Sequence, residues 1–292
     1  MKRRDFIAAS IATGGVAALA QGDDALINRG ARSQPAKAAA LKGRLKQSVC
    51  RWCYGSMALE ELCKQAAAMG VQSVELLNEK EWSVPAQYGL TCAVANGPTS
   101  IGRGFNRLEH HDEFVKESER LLPLVKAAGI PSMIVFSGNR DGLSDAEGAR
   151  NCITGLKRIT PLAEKLGVTI VMELLNSKVD HGDYQCDRTP WGVEVVKGVG
   201  SPRFKLLYDI YHMQIMEGDV IRTIRDNLEH IAHFHTGGVP GRREIDQSQE
   251  LNYPAICRAI VESGFTGYLA QEFIPSREPI ASLREAVQIC DV

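Results

Sequence analysis

The chain has 292 residues, 44% of them hydrophobic and 24% charged, with 27 Gly and 12 Pro, a balance that suits one large single-core domain or two modest ones. Thirty-four basic against 35 acidic residues leave a formal charge of -1, so no bulk positive field exists for nucleic acid or anionic lipid, and no acidic excess favours disorder. Function has to come from a site.

Met1-Lys2-Arg3-Arg4-Asp5-Phe6 is followed by an uncharged, weakly apolar stretch up to Asp23, with Ala18-Leu19-Ala20 as a small-x-small cleavage pattern. These are the three regions of a signal peptide, over residues 1–20. The adjacent arginines and modest apolarity resemble a twin-arginine signal, which carries folded chains across a bacterial membrane. A periplasmic or exported protein is therefore expected, or a cytoplasmic one if the segment is only a basic first turn before an Ala-rich helix. The stretch is short for a membrane span, and no membrane partner is expected after cleavage. Residues 21–43, rich in Ala, Gly and Arg, read as a flexible spacer, and 44–292 as a single domain.

From Leu45 onward one unit repeats: a short apolar run, a polar loop, then an amphipathic helix. The strands are expected at Lys46–Cys50, Ser73–Leu76, Thr91–Ala95, Ser132–Phe136, Thr169–Glu173, Phe204–Asp209, Ile231–His235 and Gly267–Glu272. Helical spacing falls at Ser56–Met69, His111–Ala128, Asp145–Lys165, Val220–Asn227 and Tyr253–Ser263. Gly70, Gly129, Gly167 and Gly264 stand where helices should stop. This alternation predicts a closed (β/α)8 TIM barrel. An open doubly wound sheet would need a phosphate-cradling glycine loop after the first strand, which Cys50-Arg-Trp-Cys53-Tyr54-Gly55 does not supply. That Cys-x-x-Cys has no second copy, so its thiols read as structural, like the other six cysteines. The long polar stretch Asn176–Pro190, with His181, Asp183, Tyr184 and Asp187, follows the fifth strand and should lie over the barrel mouth.

Strands five to eight end in Glu173, Asp209, His235 and Glu272. Three carboxylates on one rim repel each other and raise each other's pKa unless a cation is present. One imidazole with three carboxylates suits a single divalent ion, Mn²⁺ or Mg²⁺ first, with Zn²⁺ or Co²⁺ as alternatives. His233 shares the face of His235 one layer deeper and reads as a core histidine or as a partner of the ligands. His110-His111-Asp112-Glu113 reads as a helix start, and Asn96-Gly97 as a turn near the mouth. Trp52, Trp82 and Phe105 fall in loops near the mouth, with core packing the default for each.

Leu207–Asp219 (Leu-Tyr-Asp-Ile-Tyr-His-Met-Gln-Ile-Met-Glu-Gly-Asp) resembles the segment after strand six in the hydroxypyruvate isomerase family of the xylose-isomerase-like barrel superfamily. The resemblance extends through Met172–Asn176, His181-x-x-Tyr184, Val239–Arg242, Glu250–Tyr253 and Gln271–Pro275. It implies an isomerisation or a ketose epimerisation on one divalent metal with no organic cofactor, and a small hydroxy-carbonyl or sugar substrate. Glu173, Asp209, His235 and Glu272 would be the metal ligands, with Glu173 and Glu272 also the acid/base pair acting through a cis-enediolate. Hydroxypyruvate isomerases usually carry Gln where this chain has His235, whereas ketose 3-epimerases carry His. His212, three residues after Asp209, is assigned a hydrogen bond to substrate. His181, Arg242 and Glu217 are further substrate-binding candidates, with helix start the alternative for Glu217 and surface solvation for Arg242. Barrels of this type often pair, so a homo-oligomer is expected with no surface assigned. Competing readings are a keto-sugar lyase or dehydratase, an exported sugar-binding module, and an abasic-site endonuclease, which would want a basic DNA-tracking face.

Overall fold

The strands β1 (Lys46–Cys50), β2 (Ser73–Glu75), β3 (Val94–Ala95), β4 (Ser132–Val135), β5 (Thr169–Leu174), β6 (Phe204–Asp209), β7 (Ile231–Thr236) and β8 (Tyr268–Gln271) form one parallel sheet. The computed structural model describes residues 41–292. The expected signal peptide, and the spacer as far as residue 40, lie outside the described residues. The sheet order β2-β1-β8-β7-β6-β5-β4-β3 is sequential around the ring. Its two ends meet where the amides of Val74 and Leu76 donate to Thr91 and Val94 carbonyls at 3.1 and 2.9 Å. The sheet therefore closes into the expected barrel.

Alternation along each strand decides what faces inward. Val171 and Leu207 join Ala93 and Ile134 in a small inner cluster, two residues below Glu173, Asp209 and Phe136. The opposite parity (Ile170, Met172, Leu206, Phe234) packs outward into the main core under the helices. β3 is only two residues long, and ahead of it Thr91 meets β2 by a single isolated bridge to Ser73.

The helices are α1 (Leu59–Ala68), α2 (His111–Ala127), α3 (Asp145–Leu166), α4 (Thr189–Val199), α5 (Ile210–Met216), α6 (Val220–Asn227), α7 (Tyr253–Glu262) and α8 (Pro279–Ile289). The four helix-stopping glycines all adopt positive φ, between 70° and 83°. Only short 3-10 turns join β2 to β3. Three helices depart from the expectation. α4 begins at Thr189, inside the stretch expected as loop, and α5 occupies what was expected as a turn after β6. α8 starts at Pro279 behind Glu278, whose carboxylate accepts from the Ile280 and Ala281 amides at 3.1 and 2.6 Å.

Gly97 has a different purpose from the expected turn. Its φ is not positive; instead, a Cβ there would collide with the Ile134 carbonyl of β4. Gly97→Ala forces that backbone apart, which costs about 1–3 kcal/mol by overpacking. The thermal midpoint, read by calorimetry, should fall by several degrees.

Candidate active site

Inward parity brings the penultimate residues of β5 and β7, the last residue of β6 and the residue after β8 to one point. Ligand atoms of Glu173, Asp209, His235 and Glu272 all lie within 4.8 Å of one another, and all four residues are buried. His235 Nδ1 stands 3.2 Å from Glu173 Oε1 and 2.8 Å from Glu272 Oε2. The donor set, three carboxylates and one imidazole nitrogen beside the Arg242 guanidinium, fits a hard or borderline divalent ion. A second cluster, Cys50, Glu75 and His235, shares the histidine, so two groups of residues here have metal-ligand chemistry.

Burial and then the Glu272 charge raise the Glu173 carboxyl above its ordinary value. Burial likewise raises Asp209 well above the carboxylate range, against the pull of Arg242. For Glu272 burial acts upward too, but Arg242 and His235 win and hold it well below. Burial opposes a charge on His235, yet the Cys50 sulfur and the Glu272 carboxylate drive the ring well above its usual value.

Arg242 is largely withdrawn from solvent, its side chain 12% exposed. Its Nη2 donates to Asp209 Oδ2 at 3.0 Å and Glu272 Oε2 at 2.5 Å, and its guanidinium lies over the Trp52 and Tyr211 rings. The residue sits at φ 56°, a left-handed conformation that a non-glycine keeps only when its contacts hold it there. His212 is also fully buried, in α5. Asp209 caps that helix by accepting from the His212 amide at 3.2 Å. On the ring, Nδ1 faces the Asn176 amide nitrogen at 2.6 Å, while Nε2 stands 3.5 Å from Asp209 Oδ2 and makes no hydrogen bond. Burial, then Arg242, keeps the imidazole neutral, so Nδ1 accepts from Asn176 and Nε2–H is a free donor.

His181 lines the cavity next to the cluster, its ring centroid 5.3 Å from that of His212 with the planes tilted by 57°. Its loop neighbours do different work. Arg140 holds the carbonyl of Tyr184 and the carboxylate of Asp187, and Asp183 accepts from the Asp141 amide, tying the loop to the segment after β4. Glu217 is not brought to the site. Both its oxygens accept from Thr189, amide and hydroxyl, at 2.8 and 2.7 Å, so it fastens the head of α4.

The cavity has about 330 Å³ and is walled by Leu76, Ile101, Ile134, Phe136 and Leu175, with Asn96, Trp52 and His181 at its polar side. Trp82 and Phe105 are core residues instead. Trp52 is 45% exposed and donates its indole N–H to Glu272 Oε1 at 2.7 Å. That bond aims the other oxygen at His235. Trp52→Phe keeps the ring and removes the donor; a hydrogen bond to a charged group is worth about 1.5–3 kcal/mol, so kcat should drop about 10-fold or more with KM little changed.

Sequence reasoning missed Asn176, the Trp52 bond and Glu75. Glu75 ends β2 fully buried, between two imidazoles. Burial would raise its carboxyl, but His233 and His235 bring it down to about 2. A strand-end carboxylate in inward register was the available signal.

A family model described as xylose isomerase-like TIM barrel matches residues 63–291. This chain belongs to that family. The 2-oxo-tetronate isomerase of Cupriavidus necator is 30% identical over 244 residues, covering 79% of this chain and 92% of that protein. The hydroxypyruvate isomerase of Escherichia coli is 27% identical over 143 residues, or 49% of this chain and 55% of that protein. Among solved structures, one described as an AP endonuclease, family 2, from Brucella melitensis superposes with TM-score 0.75 at 24% identity, covering 82% of this chain and 96% of that one. Another, 3-keto-D-glucoside 4-epimerase from E. coli, gives 0.69 at 18%, covering 84% and 98%. These two structural likenesses show the fold alone. The family therefore stands as a distant relation to 2-oxo-tetronate and hydroxypyruvate isomerases. With a rim of residues that could hold a metal ion on this barrel, the chain is an enzyme of the isomerase and epimerase kind. Among the described residues no helix is long and apolar enough to cross a membrane.

Proposed function

We propose that this protein is a divalent-metal-dependent epimerase of a small ketose, with Glu173, Asp209, His235 and Glu272 as ligands. The observation that carries the reading is the pair of glutamates on either side of His235 Nδ1, at 3.2 and 2.8 Å, from strands three apart in the barrel. A substrate seated between them meets a carboxylate on each face. One glutamate takes the proton from the carbon beside the carbonyl, and the other returns a proton to the same carbon from the opposite side. Bound at the four ligands, the divalent ion supplies Lewis-acid stabilisation of negative charge developing on substrate oxygens. His212 Nε2–H donates to a substrate oxygen, because it is a buried donor at the site without a hydrogen-bond partner in the protein, as is Arg242 Nε. Trp52 and the apolar wall keep water from the reacting carbon.

A second reading, isomerisation of a hydroxy-keto acid, is favoured by the 2-oxo-tetronate isomerase likeness and by Arg242, whose guanidinium suits a substrate carboxylate. One experiment separates the two. The Mn²⁺-loaded protein is incubated in D₂O with D-fructose, D-tagatose or hydroxypyruvate, and products are read by NMR. Deuterium at the carbon beside an unmoved carbonyl, with inverted configuration, is the expected result. Deuterium with a moved carbonyl supports the isomerase. Product without carbon-bound deuterium removes both.

A further inference from the structure

Beneath the four proposed ligands lies a second layer that the reaction does not touch. Glu75 Oε1 is 2.8 Å from His233 Nε2 and 3.0 Å from His235 Nε2. The two rings, one layer apart on β7, stand 5.2 Å apart and nearly perpendicular. The register of β1 with β2 pairs Cys50 with Glu75, and the Cys50 thiol approaches the same Oε1 at 3.8 Å. All four side chains are buried.

One carboxylate oxygen facing two ring nitrogens fixes both as donors. With a divalent ion in the cluster, His235 would carry its one proton on Nε2, and Nδ1, which otherwise faces the Glu173 and Glu272 oxygens, would offer its lone pair. We propose that Glu75 is a positioning residue: it holds the tautomer and ring angle of His235 so that Nδ1 ligates the metal, with His233 holding Glu75 in turn. The inference rests on the metal-dependent reading above and assigns Glu75 no contact with substrate. Carboxylate–histidine pairs of this kind orient a ligating imidazole and raise its basicity. A second ion held by Cys50, Glu75 and His235 is the rival use of the same atoms. It would have to displace both N–H contacts from Oε1 and take His235 Nε2 from Glu75.

Glu75→Gln tests this. Oε2 of Glu75 is buried with no partner, so the new amide nitrogen must either replace Oε1 against two N–H donors or sit where no acceptor stands. Mn²⁺ affinity by calorimetry should fall about 10- to 100-fold, with one ion per chain in the parent protein. On the parent protein loaded with Zn²⁺, ¹⁵N–¹H correlation of the histidine side chains should show the His235 proton on Nε2, a readout that does not require the variant to fold. A Kd within twofold of the parent value, two ions per chain, or an unprotonated Nε2 overturns the inference. Failure of the parent protein to bind Mn²⁺ at all takes down the functional reading and this inference together, whereas binding that Glu75→Gln leaves unchanged takes down this inference alone.

Discussion

Glu272→Gln should lower kcat by about 10²-fold or more while leaving substrate affinity largely intact, as expected when a general acid/base is removed. The substitution preserves volume and one ligating oxygen. It removes the ability to accept a proton as a carboxylate does, and its single amide oxygen can keep either the Trp52 or the Arg242 hydrogen bond but not both. Glu173→Gln should fall similarly, since epimerisation needs a proton-exchanging group on each face. The pattern across the pair carries the information. If only one variant loses turnover and the other keeps near-parent kcat, a single carboxylate handles both protons and the reaction is the carbonyl-moving one. Steady-state kinetics on both variants, with solvent deuterium incorporation on the residual activity, distinguishes these outcomes. If both keep near-parent kcat, the two-glutamate mechanism is wrong.

The barrel and the four-residue rim were readable because both rest on local pattern. A strand of alternating parity that ends in a carboxylate or imidazole announces which face that group takes, and β5 to β8 do this four times in succession. Helices with a polar face and a glycine stop were equally plain. α4 was not, since Val193, Val195, Val196 and Val199 are all buried and Trp191 with them, which blurs any helical stripe. α5 has seven residues, five of them buried, and is too short to show a period. What lay furthest from view was contact between distant segments. Asn176 holds His212 from 36 residues away, and Trp52 reaches Glu272 across 220. Glu217 shows the converse error: it belongs to a segment that resembles the family's, yet its carboxylate is spent on Thr189.

Chelation should abolish turnover, and added Mn²⁺ or Mg²⁺ should restore it. His235→Ala should weaken Mn²⁺ binding by about 100-fold or more, beyond the loss typical of a residue that merely supports a ligand. Asp209 calls for a gentler change than alanine, because its carboxylate also caps α5 through the His212 amide and accepts from Arg242. Removing it outright strips a helix cap, worth about 1 kcal/mol, and leaves a buried guanidinium short of a partner. Asp209→Asn keeps an oxygen for the cap and leaves Arg242 its bond to Glu272, while losing the Oδ2 acceptor and the charge that a divalent ion needs. Its thermal midpoint should stay near that of the metal-free parent while its Mn²⁺ affinity drops steeply, and that split separates a ligand from a structural carboxylate. Elemental analysis of the purified protein supplies the other half of the test. A fully active protein that contains no divalent metal would remove Glu173, Asp209, His235 and Glu272 as a ligand set, and the role of Glu75 with them.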